Sequence, residues 1–286
     1  RKQGPAAIEQ RQRARLAELV AFARAHSPYY RELYLNLPER VEDPTLLPVT
    51  DKKKLMARFD DWVTDREVTI EQVREFIADP DLVGKPFLDK YFVATTSGTS
   101  GHLGIFVWDN RYLAVNSALQ AYMFSRWLTA GDLIKVIGRG MRIAVLVATG
   151  GHFVGFASAT RVRNANRFVA KLLHTFSVHT PLSDLVSQLN RYRPAILMGY
   201  PTVVVLLASE QEAGRLHIDP VLVGLGAEGL LPSEYDRIAT AFDTKVRNLY
   251  GATEFAHIAY GCAHGWLHVN SDWVVLEPVD ADYRAV

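Results

Sequence analysis

A single cysteine, Cys262, stands among the 286 residues, so no disulfide can form within the chain and a reducing, cytoplasmic setting is expected. No apolar run approaches the roughly 18 residues of a membrane span. The strongest candidates, 141–148 and 203–208, have the length of buried core segments, so no membrane partner is expected. An apolar leader is missing as well, because Arg1-Lys2-Gln3-Gly4-Pro5 opens into a polar helical pattern. Charge of one sign is scarce: 32 Lys and Arg face 31 Asp and Glu, for a formal charge of +1. That balance gives no long-range case for nucleic acid, although it leaves room for a local phosphate site. The chain lacks an initiator Met, and no obvious element closes its end, so a portion of a longer protein is expected.

Several catalytic signatures are also missing. No Gly-Lys pair is followed by Ser or Thr, which removes a Walker A loop, and there is no G-x-S-x-G elbow. A G-x-G-x-x-G match exists at Gly224, Gly226 and Gly229, directly after an apolar run, and keeps a nicotinamide-dependent oxidoreductase as one reading. Leu231-Pro232 separates it from the next helix start at Ser233, which is unfavourable for a dinucleotide fold. His257, Cys262, His264 and His268 are zinc-compatible ligand types within twelve positions, but at irregular spacing. Histidines scattered through a loop-rich tail are the plainer and preferred account of them.

What is present begins with Thr95-Thr96-Ser97-Gly98-Thr99-Ser100-Gly101-His102-Leu103-Gly104. Glycine allows close backbone approach and hydroxyls add short donors, so a loop of this kind between two strands can wrap a polyphosphate. The same composition also suits a plain hairpin loop. Before it, helical spacing predicts a helix over 6–25 with Ile8, Leu16, Leu19, Val20 and Ala23 on one side, ended by Pro28. Thr50 is the expected N-cap of a helix carrying Lys52 to Lys54, and a short amphipathic helix is expected over 65–78. After the loop, 110–128 reads as a long helix.

From about 132 onward strands and helices alternate. Strands are predicted at 141–148, 195–198, 221–223 and 245–249, and helices at 164–173, 181–192, 201–212 and 233–242. This alternation implies an α/β fold with a mainly parallel sheet flanked by helices. Its working loops then lie at the carboxyl ends of the strands. Four of those ends carry glycine beside His, Tyr, Glu or Thr, as Thr149-Gly150-Gly151-His152, Gly199-Tyr200-Pro201, Gly226-Ala227-Glu228 and Tyr250-Gly251-Ala252-Thr253-Glu254. His152 is open between pairing with a carboxylate and packing in its loop. The tail from 255 turns to short alternating segments such as Trp273-Val274-Val275-Leu276-Glu277, expected to start a small antiparallel, barrel-like sheet.

These segments, in this order, together with Ser27-Pro28-Tyr29-Tyr30 and Leu47-Pro48-Val49-Thr50-Asp51-Lys52, resemble the acyl-adenylate-forming superfamily, within it the phenylacetate–CoA ligase-like branch. The resemblance covers essentially the whole chain. It implies the large N-terminal domain of an adenylate-forming enzyme: a helical portion at 1–90, an ATP- and acid-binding core at 91–254, and the start of an antiparallel sheet at 255–286. It implies that a carboxylic acid, aryl or otherwise apolar, is joined to AMP from ATP with release of pyrophosphate, and that CoA is the co-substrate.

Thr96, Ser97, Gly98, Thr99, Ser100 and Gly101 would then hold phosphates. Gly226, Ala227 and Glu228 would flank adenine, with Tyr250, Gly251 and Ala252 also at the nucleotide. Thr253 would meet the α-phosphate, and Glu254 would hold Mg²⁺. Gly151, His152, Phe153, Tyr200, Pro201 and Ala252 would line the acid pocket. A homodimer is left open.

The family's phosphate loop commonly continues Gly-Lys-Pro, whereas this one runs Gly101-His102-Leu103. The missing lysine leaves the phosphate charge to backbone, Mg²⁺ or another basic group such as Arg139 or Arg142, and keeps a non-catalytic adenylate-binding homologue as an alternative, beside an amide synthetase using an amine acceptor. The family's ribose-binding Asp, hinge and mobile C-terminal lysine have no counterpart in this sequence, so residues 1–286 alone are expected to adenylate poorly.

Overall fold

The structure is a computed structural model and describes residues 4–96 and 103–284; Ser97 to His102, the centre of the glycine–hydroxyl loop, lie outside the described residues. The described chain divides into two compact units, residues 4–76 with 103–104 and 269–284, and residues 77–96 with 105–268.

The first unit is built on helix α1 (Pro5–His26). Its Val20 and Ala23 pack with Tyr34 and Val41, flanked by Leu16, Leu37 and Leu47. Leu19, expected on that face, is instead 63% exposed, because the stripe runs through Ala17, Val20 and Ala23 at three-residue steps. Helix α2 (Pro28–Leu33) follows at once, so Pro28 opens a helix rather than ending one. Ser27 caps it by accepting from the Tyr30 amide, and proline suits the first helical position because its missing N–H has no partner there.

Helices α3 (Lys52–Ala57), α4 (Phe59–Trp62) and α5 (Ile70–Ala78) come next. The cap of α3 is Asp51, not Thr50: the Asp51 carboxylate accepts from Lys54 N at 2.8 Å. The Thr50 hydroxyl is engaged with Tyr29 Oη at 2.7 Å. The expected strand at 273–277 does not form. Side chains of α1 hold the start of that segment instead. Arg11 bonds Asp272 at 3.0 Å, the Arg15 guanidinium lies 3.5 Å from the centre of the Trp273 ring, and Gln12 donates to the Val274 carbonyl.

The second unit starts with an antiparallel pair, β1 (Phe92–Thr95) and β2 (Ile105–Trp108), which flank the glycine–hydroxyl loop. Helices α6 (Asn110–Trp127) and α7 (Ala130–Gly138) lead to β3 (Ile143–Val147). Then follow α8 (Val154–Ala165), α9 (Arg167–Leu172), β4 (Leu173–Ser177), α10 (Leu182–Tyr192), β5 (Ile196–Gly199), α11 (Pro201–Glu212), β6 (Leu222–Gly226), α12 (Pro232–Phe242), β7 (Lys245–Tyr250), β8 (Ala259–Gly261) and β9 (Leu267–Val269). The sheet order is β4-β3-β5-β6-β7-β8-β9, parallel from β4 to β7, with β8 antiparallel to β7. The α/β architecture read from the alternation is therefore present, with a short antiparallel extension at its carboxyl side.

The two-residue side-chain period sends alternate strand residues to opposite faces. Ala144, Leu146, Leu197, Val223 and Leu225 pack under α10, α11 and α12. Ile196 and Leu222 pack with Met123, Trp127 and Val136 from α6 and α7. Burial on both faces is why these strands read as near-continuous apolar runs.

One stretch differs from expectation. The helix predicted over 164–173 is only the short α9, whose start is set by Asn166 accepting from the Phe168 and Val169 amides. The preceding α8 and the strand β4 were not anticipated. Strand β4 is the sheet edge and carries polar His174 and Thr175, so it lacks the continuous apolar pattern of its neighbours.

Helix α7 is tied to the amino end of β7 by Asp132, which completes a capping box with Thr129 and accepts from Lys245 Nζ at 2.5 Å. Burial opposes ionisation of Asp132, but hydrogen bonds from Lys245 and Thr129 outweigh it and hold the carboxyl well below the usual range. A carboxyl depressed in the folded state stabilises at neutral pH and loses that contribution as pH falls through the acid range. Lys245→Met should leave a mostly buried carboxylate without its cation and cost about 2 kcal/mol in urea unfolding at pH 7. A cost under about 0.5 kcal/mol would show that the pair is not a structural tie.

Candidate active site

Parallel register decides which loops meet. Leu146 pairs with Gly199, Gly199 with Leu225, and Gly226 with Leu249. Neighbouring strands lie about 4.8 Å apart, so the turns after β3, β5, β6 and β7 form one continuous edge. Strand β1 joins the same edge: Thr95 N donates to His152 O at 2.8 Å, and Thr95 bridges Phe153 in parallel. Thr96, the last described residue before the glycine–hydroxyl loop, therefore leaves β1 beside the turn after β3. Ser97, Gly98, Thr99, Ser100 and Gly101 lie outside the described residues.

After β3, Thr149 Oγ1 donates to Ser177 Oγ at 2.9 Å, and the Ala148 amide donates to Tyr200 Oη at 3.4 Å. Tyr200 thus reaches from the end of β5 over the end of β3. Gly151 sits against the Phe153 ring. His152 is 3% exposed. Burial pulls its pKa down, opposed in part by backbone hydrogen bonding at Asp79 and Val93 and by the Asp79 charge. It is a packed residue of the loop. Pro201, buried, opens α11 directly after Tyr200.

At the end of β6, the Glu228 carboxylate accepts from both the amide (3.1 Å) and the hydroxyl (2.8 Å) of Thr202. This fastens the β6 turn to the first turn of α11. Ala227 has φ +73°, a left-handed conformation that costs a non-glycine residue about 1 kcal/mol or more and is held only where its surroundings demand it. Gly224 and Gly226 are strand residues, and the next helix begins only at Pro232. The dinucleotide reading of this glycine pattern fails on that geometry.

The end of β7 makes the tightest feature. A Cβ on Gly251 would lie 2.1 Å from the Ala256 carbonyl oxygen, so only glycine permits this approach. Ala252 and Phe255 exchange amide–carbonyl bonds of 3.1 Å in both directions. Thr253 and Glu254 are the two residues carried at the tip of the turn they close. Thr253 is buried, whereas Tyr250 and Glu254 face solvent.

Sequence reading missed what holds this turn from α6. Tyr112 Oη accepts from Ala256 N at 3.1 Å, and its ring meets Phe255 edge-on at 5.8 Å. The His257 Nδ1–H donates to Asn116 Oδ1 at 2.6 Å, between two buried residues. The Tyr112 hydroxyl is pushed up to about 12, mainly by burial. One signal was available. The buried stripe of α6 is Asn116, Leu119, Met123 and Trp127, and an asparagine on such a stripe needs a polar partner.

One further expectation is redirected. Arg139 and Arg142 lie at the amino end of β3, where Arg139 pairs with Asp219 at 2.7 Å and Arg142 donates to the Arg193 carbonyl. They are at the opposite end of β3 from His152, beside which Thr95 pairs. His257, Cys262, His264 and His268 are not gathered: among the described residues no group of three or more His, Cys, Asp or Glu is placed to hold a metal. His257 bonds Asn116, and His268 stacks on Tyr260. A cleft of about 170 Å³ lies at the start of β1, lined by Lys85, Lys90, Asn110 and Arg161 among others, and not at the strand ends. The register and the hydrogen bonds mark the strand-end edge more firmly than a shallow hollow marks a site. Among the described residues no helix is long and apolar enough to cross a membrane.

Burial lowers the pKa of His257 to about 4, so it is neutral in the fold. Between about pH 6.5 and 4 the unfolded chain takes up a proton that the folded chain refuses. Stability is therefore complete above pH 6.5 and falls as pH drops through that window, by up to about 3 kcal/mol. His257→Gln should flatten this part of the stability–pH curve from urea unfolding. An unchanged slope would place the titration elsewhere.

No family model and no curated protein matches the sequence. Among solved structures, a 2-hydroxyisobutyryl-CoA ligase in complex with 2-HIB-AMP and CoA in the thioesterification state matches with a TM-score of 0.67 at 19% identity, over 99% of this chain and 58% of that one. An open conformation of that ligase gives 0.55 at 19% identity, over 90% and 52%. Its postadenylation state with 2-HIB-AMP gives 0.55 over 90% and 50%. The chain thus spans about half the length of these structures, and shares their fold.

Proposed function

We propose that the chain belongs to an AMP-forming acid–CoA ligase of the phenylacetate–CoA ligase-like branch, acting on an aryl or other apolar acid. The observation that carries the reading is the single edge at which the end of β1 at Thr95 and the turns after β3, β5, β6 and β7 meet. The 2-hydroxyisobutyryl-CoA ligase whose fold it shares is bound to 2-HIB-AMP and CoA, which supports an acyl-AMP intermediate and a thiol acceptor.

In this reading the acid's carboxylate oxygen attacks the α-phosphorus of ATP. A P–O bond forms to the acid, the bond to the bridging oxygen of the β-phosphate breaks, and pyrophosphate leaves. The CoA sulfur then attacks the acyl carbon and AMP departs. The work of the protein is positioning and charge neutralisation. Thr96, with Ser97, Gly98, Thr99, Ser100 and Gly101, cradles the β- and γ-phosphates. Thr253 meets the α-phosphate, and the backbone of Gly226, Ala227 and Glu228, with Tyr250, Gly251 and Ala252, flanks the base.

The Glu228 side chain is already turned to α11, which agrees with a backbone role there. Gly151, Phe153, Tyr200, Pro201 and Ala252 border the acid, with His152 packed behind them. Glu254 is one exposed carboxylate, and a lone carboxylate suits Mg²⁺ held chiefly by nucleotide phosphates and water. When bound there, the ion neutralises phosphate charge.

Exchange of labelled pyrophosphate into ATP, with the full-length chain and a panel of aryl, fatty and keto acids, tests the reading. Exchange should appear with a subset of apolar acids, and Glu254→Gln should reduce it at least about a hundredfold. ATP binding without exchange on any acid would refute it in favour of a non-catalytic homologue.

A further inference from the structure

Thr253 and Glu254 sit on a turn whose backbone closes on itself only through Ala252 and Phe255. Two residues later the chain is gripped from outside. On α6, Tyr112 and Asn116 are one turn apart and face the same way. Tyr112 Oη takes the Ala256 N–H, and Asn116 Oδ1 takes the His257 Nδ1–H. The grip falls at the carbonyl-bearing residue that Gly251 must approach, so it fixes both limbs of the turn at once.

We infer that Tyr112, Asn116 and His257 are positioning residues for the Thr253–Glu254 turn, holding it from α6 for nucleotide chemistry. The inference rests on the adenylation reading for its catalytic consequence, though not for the grip itself. Hydrogen bonds of this kind contribute modestly to global stability, yet a shift of the tip by a fraction of an ångström costs a reaction that depends on alignment. A pair that served only the core would lower stability and leave the folded protein's turnover unchanged.

The test uses the full-length chain with Asn116→Ala and Tyr112→Phe, the latter keeping the ring on Phe255 while removing the acceptor. Hydrogen exchange should accelerate about tenfold at the amides of 252–257 and stay unchanged in β5 and β6. The kcat of pyrophosphate exchange, per folded molecule, should fall about tenfold (~1.4 kcal/mol) with little change in KM for the acid. Unchanged turn protection in both variants would overturn the grip. Loosened amides with unchanged kcat would overturn the positioning role. Loosened amides in a protein whose wild type shows no exchange would keep the grip and refute the adenylation reading instead.

Discussion

The site depends on the shared register of the parallel strands. Leu146, Gly199, Leu225 and Leu249 lie within one residue of each other along the ladders, so four glycine-containing turns end at one edge, where Tyr200 and Glu228 tie neighbouring turns together. A one-residue slip would send every side chain to the opposite face and move every turn by about 3.3 Å. Burial on both faces makes that slip costly. The apolar core and the alignment of the site are thus one constraint.

Local strain and close approach refine what register aligns. Ala227 is held left-handed between a strand and a turn whose Glu228 is anchored on Thr202. Gly251 lets the β7 turn fold back against Ala256. The side chains that do this anchoring come from α11 and α6, elements with no motif of their own. Chemistry-bearing residues occupy the turns, while helices on the two faces set their geometry.

Much of this was legible in the sequence where hydrophobic period was strong. Strands β3, β5 and β6 and helices α6, α11 and α12 were read at nearly their observed places because each buries a stripe or run. Strand β4 was missed because an edge strand with His174 and Thr175 carries no such run. Helix α8 was missed because its Gly-Phe-Ala-Ser-Ala-Thr-Arg segment has no clear stripe, and only Ala157 and Ala159 are buried. The turn residues were picked out by composition. Their supports were not: Asn116 and His257 are 141 positions apart, and only the fold shows that they meet. The placing of Arg139 and Arg142 was legible from order alone, since both precede β3 while the turns of the edge follow the strands.

The central claim is that an acid's carboxylate oxygen becomes bonded to the α-phosphorus of ATP at this edge. Supplying an activated acid labelled with ¹⁸O in its carboxyl group, and weighing the nucleotide product by mass spectrometry, tests that bond directly. The account predicts AMP carrying one labelled oxygen, because cleavage of the acyl-AMP at its acyl carbon leaves that oxygen on phosphorus. Unlabelled AMP, or label in inorganic phosphate with ADP as the nucleotide product, would contradict it.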